Sequence, residues 1–158
     1  MIGSARLTQF NRGDQAIVAT GGTITTFNDG TNTYKIHKFT TTGSDSFVVT
    51  SGSGNIDVLV VGGGGKGGAI ASGSYSASGG GGAGKVVYQT GISVTAQIYN
   101  LTIGASASSS QAFGITATAG TNAAAAYYSV TAGGASANGF AGGAANTTGG
   151  GGGGGGKV

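Results

Sequence analysis

The feature that most constrains the fold is an apolar strand pattern that runs without a linker into polyglycine. Residues 56–61 read Ile-Asp-Val-Leu-Val-Val, and residues 62–68 consist of six glycines and one lysine. A second glycine block at 79–82 leads back into an apolar segment, and a third block occupies 149–156. Glycine therefore punctuates recurring short strands. This pattern is typical of a surface or fibre module and not of an enzyme core.

The composition predicts an all-β fold with a thin core. Glycine supplies 37 of the 158 residues, but proline is absent and glycine has no strict three-residue period, which excludes a collagen triple helix. Strong helix formers are scarce, whereas Thr, Val, Ile, Phe and Tyr recur at strand spacing. Because so many residues are small, little apolar volume is available to fill a core.

The charges argue against nucleic-acid binding. Seven basic residues stand against four acidic ones, for a net charge of +3, and the basic residues are scattered along the chain. Without cysteine, neither disulfides nor thiolate metal sites can form. No apolar run of membrane-spanning length occurs, and the N-terminus lacks the apolar stretch of a signal peptide. We therefore expect neither membrane insertion nor export by a conventional leader.

The sequence divides into three regions. Residues 1–22 are the least repetitive and carry both arginines, so we expect an extension that serves attachment or assembly. Residues 23–120 contain recurring strand signals separated by glycine, which predicts one glycine-rich β-domain. Residues 121–158, rich in alanine and glycine, are expected to form a tail, a loop or a continuation of a fibre.

The first strands of the β-domain are predicted to form a hairpin. Residues 23–39 alternate between apolar and polar side chains around an Asn-Asp-Gly sequence at 28–30, and these turn residues tolerate positive φ. Two further strand signals follow, at 47–50 and 56–61. Four strands within so short a stretch predict a compact meander.

Two alternatives are open for the glycine-rich segments. Glycine strands of the polyproline-II type can pack in bundles through main-chain hydrogen bonds, because the missing Cβ atoms let neighbouring backbones come close. Disorder is the other alternative, since ordering a glycine backbone costs entropy that a segment without side chains cannot recover by apolar burial.

The motifs that could carry cofactor chemistry fail in their context. Gly62, Gly64 and Gly67 satisfy the G-x-G-x-x-G pattern directly after a strand, as in dinucleotide-binding folds. No helix can follow in the serine- and glycine-rich residues 72–82, and no acidic residue occurs after Asp57 to bind a ribose hydroxyl. We therefore predict no cofactor.

The inventory of reactive side chains argues against an enzyme. His37, the one histidine, is expected at an exposed strand position, and the sequence has neither cysteine nor glutamate. No nucleophile-elbow motif supports a catalytic triad, and one histidine with dispersed carboxylates does not suit zinc. We predict neither catalytic residues nor a metal site, with calcium coordination by Asp29 or Asp45 as the open alternative.

The order of the segments resembles a known family. These segments are, in order, 23–27, 34–39, 47–49, 56–61 with the glycines that follow, 84–88, 98–104 and 113–118. Over residues 21–120 this order resembles the glycine-rich domain of bacteriophage tail fibres and related virion surface proteins. The resemblance implies a small antiparallel β-sandwich of jelly-roll type, from which glycine-rich loops project. It also implies fibres built from several chains, with host-surface recognition at exposed loops.

From these observations we expect a nonenzymatic virion protein, a tail fibre or spike subunit, made in the host cytoplasm and displayed on the particle as a homotrimer. Its partners would be other virion proteins and a host-surface glycan or protein. The alternatives are a capsid decoration protein and a self-assembling extracellular filament or adhesin. The candidate particle-attachment residues are Arg6, Phe10 and Arg12, and the candidate recognition residues are Tyr75, Tyr127 and Tyr128.

Overall fold

The computed structural model describes residues 16–72, 78–127 and 131–137. These ranges contain the strands β1 (Val18–Thr20), β2 (Thr23–Asn28), β3 (Thr33–Lys38), β4 (Gly43–Ser51), β5 (Gly54–Val61), β6 (Ile70–Ser72), β7 (Val86–Val94), β8 (Ile98–Ile103), β9 (Ser110–Ala112), β10 (Ile115–Ala117) and β11 (Ala126–Tyr127). They contain no helix, and so none that could cross a membrane. The prediction of an all-β fold is confirmed.

The strands form one large sheet and three two-stranded pairs. The five-stranded sheet has the antiparallel order β1-β4-β8-β9-β10. Strands β2 and β3 form a hairpin, and β5 pairs with β7, both antiparallel. The short strands β6 and β11 are parallel. The order is thus largely antiparallel, as expected.

The predicted meander from β2 to β5 is wrong, because β4 and β5 belong to different sheets. Each of these strands buries two alternate side chains, Phe47 and Val49 on β4 and Val58 and Val60 on β5. Placing β4 and β5 in different layers lets each buried face pack against a strand of the opposite layer, β4 against β7 and β5 against β10.

Two clusters of buried side chains lie between the five-stranded sheet and the β5–β7 pair. Each cluster takes residues from both layers, which makes the domain a sandwich. Only eight hydrophobic side chains of the described ranges are buried, so the core is thin, as the small residues predict. The first cluster is Phe47, Val49, Val94 and Leu101, and the second is Val58, Val60, Ile115 and Ala117.

The turn between β9 and β10 places an aromatic residue in an unfavourable backbone conformation. Phe113 has φ of 51° and Gly114 has φ of 76°, the positive pair that a two-residue hairpin turn requires. A bulky side chain is rarely found at positive φ. The ring of Phe113 packs on Tyr99 at 5.0 Å and on Phe47 at 5.8 Å between ring centroids. This aromatic packing offsets the cost of the backbone conformation.

Strand β1 lies within the region predicted to be an extension. Ala19 pairs with Val49 of β4, and the side chain of Ile17 packs against the first core cluster. Residues 17–20 are therefore part of the sandwich edge. The extension predicted for residues 1–22 therefore includes residues that pack with the sandwich, and residues 1–15 lie outside the described ranges.

The predicted β2–β3 hairpin is present, with Thr23 opposite Lys38 and Asn28 opposite Thr33. In its turn, the carboxylate of Asp29 accepts hydrogen bonds from the backbone N–H groups of Asn32 and Thr31 at 2.7 and 2.8 Å. These bonds, that from Asn32 foremost, hold the pKa of Asp29 below its usual value. The hairpin is thus closed by local polar contacts.

His37 differs from its expected exposed position. Its side chain is half-buried at the base of the hairpin, where the ring meets Phe47 edge-on at 5.0 Å. The Nδ1 atom lies 2.9 Å from the carbonyl oxygen of Gly21. Histidine has an apolar ring and polar nitrogens, which suits a site that joins the hairpin to the core.

The thin core makes its best-buried side chain sensitive to truncation. Val94 is 0 % exposed and belongs to the first cluster. We expect Val94→Ala to lower the free energy of unfolding by about 2 to 3 kcal/mol, through lost apolar burial and the cavity left behind. The measurement is denaturant unfolding. The control is Val18→Ala, since Val18 is also a strand valine but is 49 % exposed. If the free energy of unfolding falls equally in the two variants, the effect comes from strand propensity and not from burial of Val94, and the assigned role of Val94 is wrong.

Candidate functional site

The glycine-rich sequence forms ordered segments that extend the sandwich. We call residues 62–68, 79–85, 118–124 and 131–137 the glycine bundle, and number its segments from first to fourth in chain order. The first segment continues β5, the second leads into β7, and the third continues β10. The bundle therefore begins where three strands of the sandwich end.

The first two segments are joined by a three-residue repeat of hydrogen bonds. Backbone N–H groups of Gly62, Gly65 and Gly68 donate to the carbonyls of Lys85, Gly82 and Gly79, at 2.8, 2.8 and 3.0 Å. Three residues per turn is the repeat of the polyproline-II helix, whereas a β-strand repeats every two residues. The polyglycine-II-like alternative is thus confirmed for these segments, and disorder is wrong for them.

The third segment bonds to both of the first two. Gly120 and Ala123 donate to the carbonyls of Gly63 and Lys66, at 3.0 and 2.9 Å, in a parallel arrangement. The second segment donates antiparallel to the third, from Gly82 to Thr121 and from Lys85 to Thr118, at 2.9 and 2.8 Å. Three mutually bonded strands cannot lie in one flat sheet. The glycine bundle is therefore a three-dimensional arrangement of backbones.

The fourth segment completes the described part of the bundle. Gly134 and Ala137 donate to the carbonyls of Gly80 and Ala83 on the second segment, at 2.7 and 2.9 Å. Thr121 of the third segment donates its N–H to the carbonyl of Ala135 at 3.0 Å. Residues 131–137, which were predicted to belong to a tail, a loop or a continuation of a fibre, thus belong to the same unit as the glycine blocks.

Glycine is needed where two backbones meet without space for a side chain. A Cβ atom at Gly62, Gly65 or Gly68 would overlap the carbonyl oxygens of Thr118, Thr121 and Ala124, respectively. These three glycines recur every third residue, as the hydrogen bonds do. Lys66, the residue that interrupts the first glycine block, is exposed. The three crowded glycines therefore lie on the one face of the segment that meets the third segment.

The end of the bundle away from the sandwich brings several chain segments together. The first and third segments run parallel toward it and continue into β6 and β11, which pair with Ala126 opposite Ile70 and Tyr127 opposite Ser72. The second and fourth segments start there, and the Oγ1 atom of Thr131 donates to the carbonyl of Ala124 at 2.9 Å. We call this end, formed by residues 69–72, 78, 124–127 and 131, the tip.

The predicted recognition residues are placed only in part. Tyr127 lies at the tip, in β11. Tyr75 and Tyr128 lie outside the described residues. The described residues that flank the first stretch are Ser72 and Ser78, and those that flank the second are Tyr127 and Thr131. All four belong to the tip. The structure thus brings the described residues that flank these stretches together at the tip. The candidate attachment residues Arg6, Phe10 and Arg12 also lie outside the described ranges.

The bundle and tip offer a neutral to basic polar surface. The described residues of the four segments include the exposed Lys66 and Lys85 and no carboxylate. The side-chain oxygen of Asn122 is already engaged, since it accepts a hydrogen bond from the N–H of Lys66 at 2.7 Å. Within the described ranges there is no cluster of three or more potential metal ligands. The chemistry that the described residues of the bundle offer is therefore hydrogen bonding through hydroxyl and main-chain groups, beside two lysine ammonium groups.

Comparison with known proteins supports one relationship. A family model described as a glycine-rich domain matches residues 40–158. The matched range holds the whole glycine bundle and strands β4 to β11, and it leaves out β1, β2 and β3. Neither the curated proteins nor the solved structures contain a match to the chain.

Adjacent glycines of the first segment differ in what a methyl group would meet. At Gly65 a Cβ atom would overlap the carbonyl of Thr121, while at Gly64 its nearest neighbour would be the carbonyl oxygen of Gly82 at 3.6 Å. We expect Gly65→Ala to destabilise the protein by about 3 kcal/mol or more, since a rigid backbone must move. Gly64→Ala is the matched control and should change stability by no more than about 1 kcal/mol, in either direction.

Thermal unfolding followed by circular dichroism measures both variants. A loss at Gly64 as large as that at Gly65 would contradict the assigned faces. Unchanged stability in both variants would contradict the close packing of the first and third segments.

Proposed function

The chain belongs to the glycine-rich domain family over residues 40–158, and from this premise we propose that it is a nonenzymatic virion surface protein. We infer a bacteriophage tail fibre or spike subunit that contributes to host attachment through its tip. The observation that carries this proposal is the geometry of the glycine bundle, whose four segments meet at the tip, at the end away from the sandwich.

A bundle of backbones suits the display of recognition loops. Its segments are fixed by main-chain hydrogen bonds such as that from Gly68 to Gly79, at 3.0 Å, so the bundle is held by backbone contacts at its glycines and not by the side chains of the connecting stretches. Connecting stretches carried by a rigid scaffold tolerate sequence change better than the scaffold does. When a host surface varies, the residues that contact it must change, and this arrangement lets them change without altering the bundle that supports them.

The tyrosines of the two stretches supply the proposed contacts. Tyr75, Tyr127 and Tyr128 stand in sequence rich in Gly, Ser and Ala. An aromatic ring can stack on a sugar or anchor a protein contact, and the phenol adds a hydrogen bond at low ordering cost. A host-surface glycan or protein is therefore the proposed ligand. No cofactor, nucleic acid or membrane insertion is part of the proposal.

In the proposed assembly, several copies of the chain form a homo-oligomer on the particle. The resemblance to tail fibres favours a trimer. The residues that precede β1, with Arg6, Phe10 and Arg12, would bind other virion proteins. A thin core such as that of the sandwich is easier to stabilise when neighbouring copies cover its surface. The protein would then be found on virions, after synthesis in the host cytoplasm.

The proposed role in host attachment is tested by removing the three tyrosine rings. We expect particles that carry Tyr75→Ala, Tyr127→Ala and Tyr128→Ala together to adsorb to a susceptible bacterial strain at least about tenfold less well, because interface tyrosines often dominate binding energy. The control is Ile98→Ala on the sandwich, since Ile98 is 64 % exposed and lies outside the tip. Unchanged adsorption of the triple variant, with normal incorporation into particles, would show that the tip is not the contact surface.

The attachment segment is tested by a truncation that spares β1. Deleting residues 1–15 keeps Ile17 against the core and Ala19 opposite Val49. We expect the truncated protein to retain its unfolding temperature and its circular dichroism but to be lost from purified particles. Immunoblotting of particles against total lysate gives the readout. Incorporation at the normal level would refute the role assigned to this segment.

A further inference from the structure

Two main-chain donors on the first segment of the glycine bundle have no acceptor among the described residues. They are the N–H groups of Gly64 and Gly67, and both residues are exposed. The other N–H groups of the segment all donate to described acceptors, and they belong to Gly62, Gly63, Gly65, Lys66 and Gly68. Because Gly64 and Gly67 are three residues apart, their N–H groups lie on the same side of the segment. We call these two donors the open row.

The spacing of the open row determines what can cover it. Donors three residues apart on a polyproline-II segment are separated by about 9 Å. A β-strand presents carbonyls to one side at every second residue, about 6.6 to 6.8 Å apart, so it would match one donor and miss the next. A second polyproline-II segment repeats at the same interval as the row and matches both donors. The row therefore suits a further segment of the bundle type and not an added β-strand.

A segment that covers the row must also be rich in glycine. The segments of the bundle approach each other so closely that a Cβ atom at Gly81 or Gly84 would overlap the carbonyls of Gly65 and Gly62, respectively. Of the ranges outside the described residues, which are 1–15, 73–77, 128–130 and 138–158, only the last contains a glycine block. This block is the run of eight glycines at 149–156, which offers a glycine at every contact in any register.

The last glycine block has the length and the reach for this position. At the polyproline-II rise its eight residues extend about 25 Å, against about 22 Å for the seven residues of the first segment. The residues that connect it to the fourth segment, 138–148, can extend to roughly 36 Å, which exceeds the length of the first segment. The family match covers residues 40–158 and so includes the block in the same domain as the bundle.

We propose that residues 149–156 form a fifth segment of the glycine bundle, whose carbonyls accept hydrogen bonds from the N–H groups of Gly64 and Gly67. The occupant of the open row is thus the chain's own last glycine block. A block on the same chain meets the row at a high effective concentration, which favours it over the block of another copy. The fifth segment would brace the first segment on its exposed side. This inference does not depend on host attachment or on a location in the virion.

The first test follows amide hydrogen exchange in the full chain by nuclear magnetic resonance. The block variant carries Gly→Ser at every position of 149–156, which keeps the chain length and adds a Cβ atom to each residue. We expect the amides of Gly64 and Gly67 to exchange at least about tenfold more slowly in the wild-type chain than in the block variant, because a hydrogen-bonded amide exchanges only when its bond opens. The amides of Gly65 and Gly68, which donate to the second segment, are the matched control and should be protected in both chains.

Two results of this test overturn the proposal. One is rapid exchange of Gly64 and Gly67 in the wild-type chain, and the other is equal protection of these amides in the two chains. A mixture of isotope-labelled block variant with excess unlabelled wild-type chain identifies the source of the covering segment. We expect the labelled chain to stay unprotected at the open row. Restored protection would assign the row to the glycine block of a second copy and overturn the proposal.

A second set of variants tests the three-residue period of the proposed segment. Each variant carries Gly→Ala at one set of positions, which are 149, 152 and 155, or 150, 153 and 156, or 151 and 154. A segment at the outside of the bundle has one side against its neighbours and another toward solvent. We therefore expect one variant to lower the unfolding temperature by about 5 °C or more and another to leave it within about 1 °C of the wild-type value.

Three equal shifts in unfolding temperature, whether zero or large, would contradict a segment that packs on one side of the bundle. These variants also keep the proposal falsifiable if the block variant fails to fold, which the control amides of Gly65 and Gly68 would reveal. Neither experiment uses particles, so its outcome is separate from that of the tyrosine variants.

Discussion

The close approach of one backbone to another in the glycine bundle is the constraint on which the rest of the structure depends. Carbonyls such as that of Thr121 occupy the space where a side chain of Gly65 would lie. The bundle has no side-chain core of its own, so its segments are aligned by the strands that feed them. Strands β5, β7 and β10 end together at the sandwich, and this common end sets the register of the first three segments.

The sandwich provides the apolar burial that the glycine bundle lacks. Ordering a glycine backbone costs more entropy than ordering other residues, and the bundle recovers little apolar burial. Its hydrogen bonds form at low additional cost because the segments are held at one end by the two core clusters. The positive φ of Phe113 shows the same principle on a small scale. Aromatic packing against Tyr99 holds a backbone conformation that the residue alone would not adopt.

The sequence predicted local features well and non-local ones poorly. The hairpin around residues 28–30 and the strand before Gly62 follow from alternation and turn chemistry, which act over a few residues. The separation of β4 from β5 depends on which faces are buried together, and that is a property of the whole domain. The choice between ordered and disordered glycine could not be made, because polyglycine has no side-chain pattern to show a period. The one available signal was the exposed Lys66 among glycines that face other segments. The pairing of Ser72 with Tyr127 at the tip could not be predicted either, because it depends on the first and third segments being parallel.

The three-residue repeat sets a rule for how this architecture can change in length. Inserting one or two residues into a segment would rotate every later residue onto a different neighbour and place carbonyls where hydrogen-bond donors are needed. Inserting three residues adds one full turn, about 9 Å of the polyproline-II rise, and restores each residue to its former face. Related chains should therefore differ in the length of the bundle by multiples of three residues per segment, with the same change in every segment.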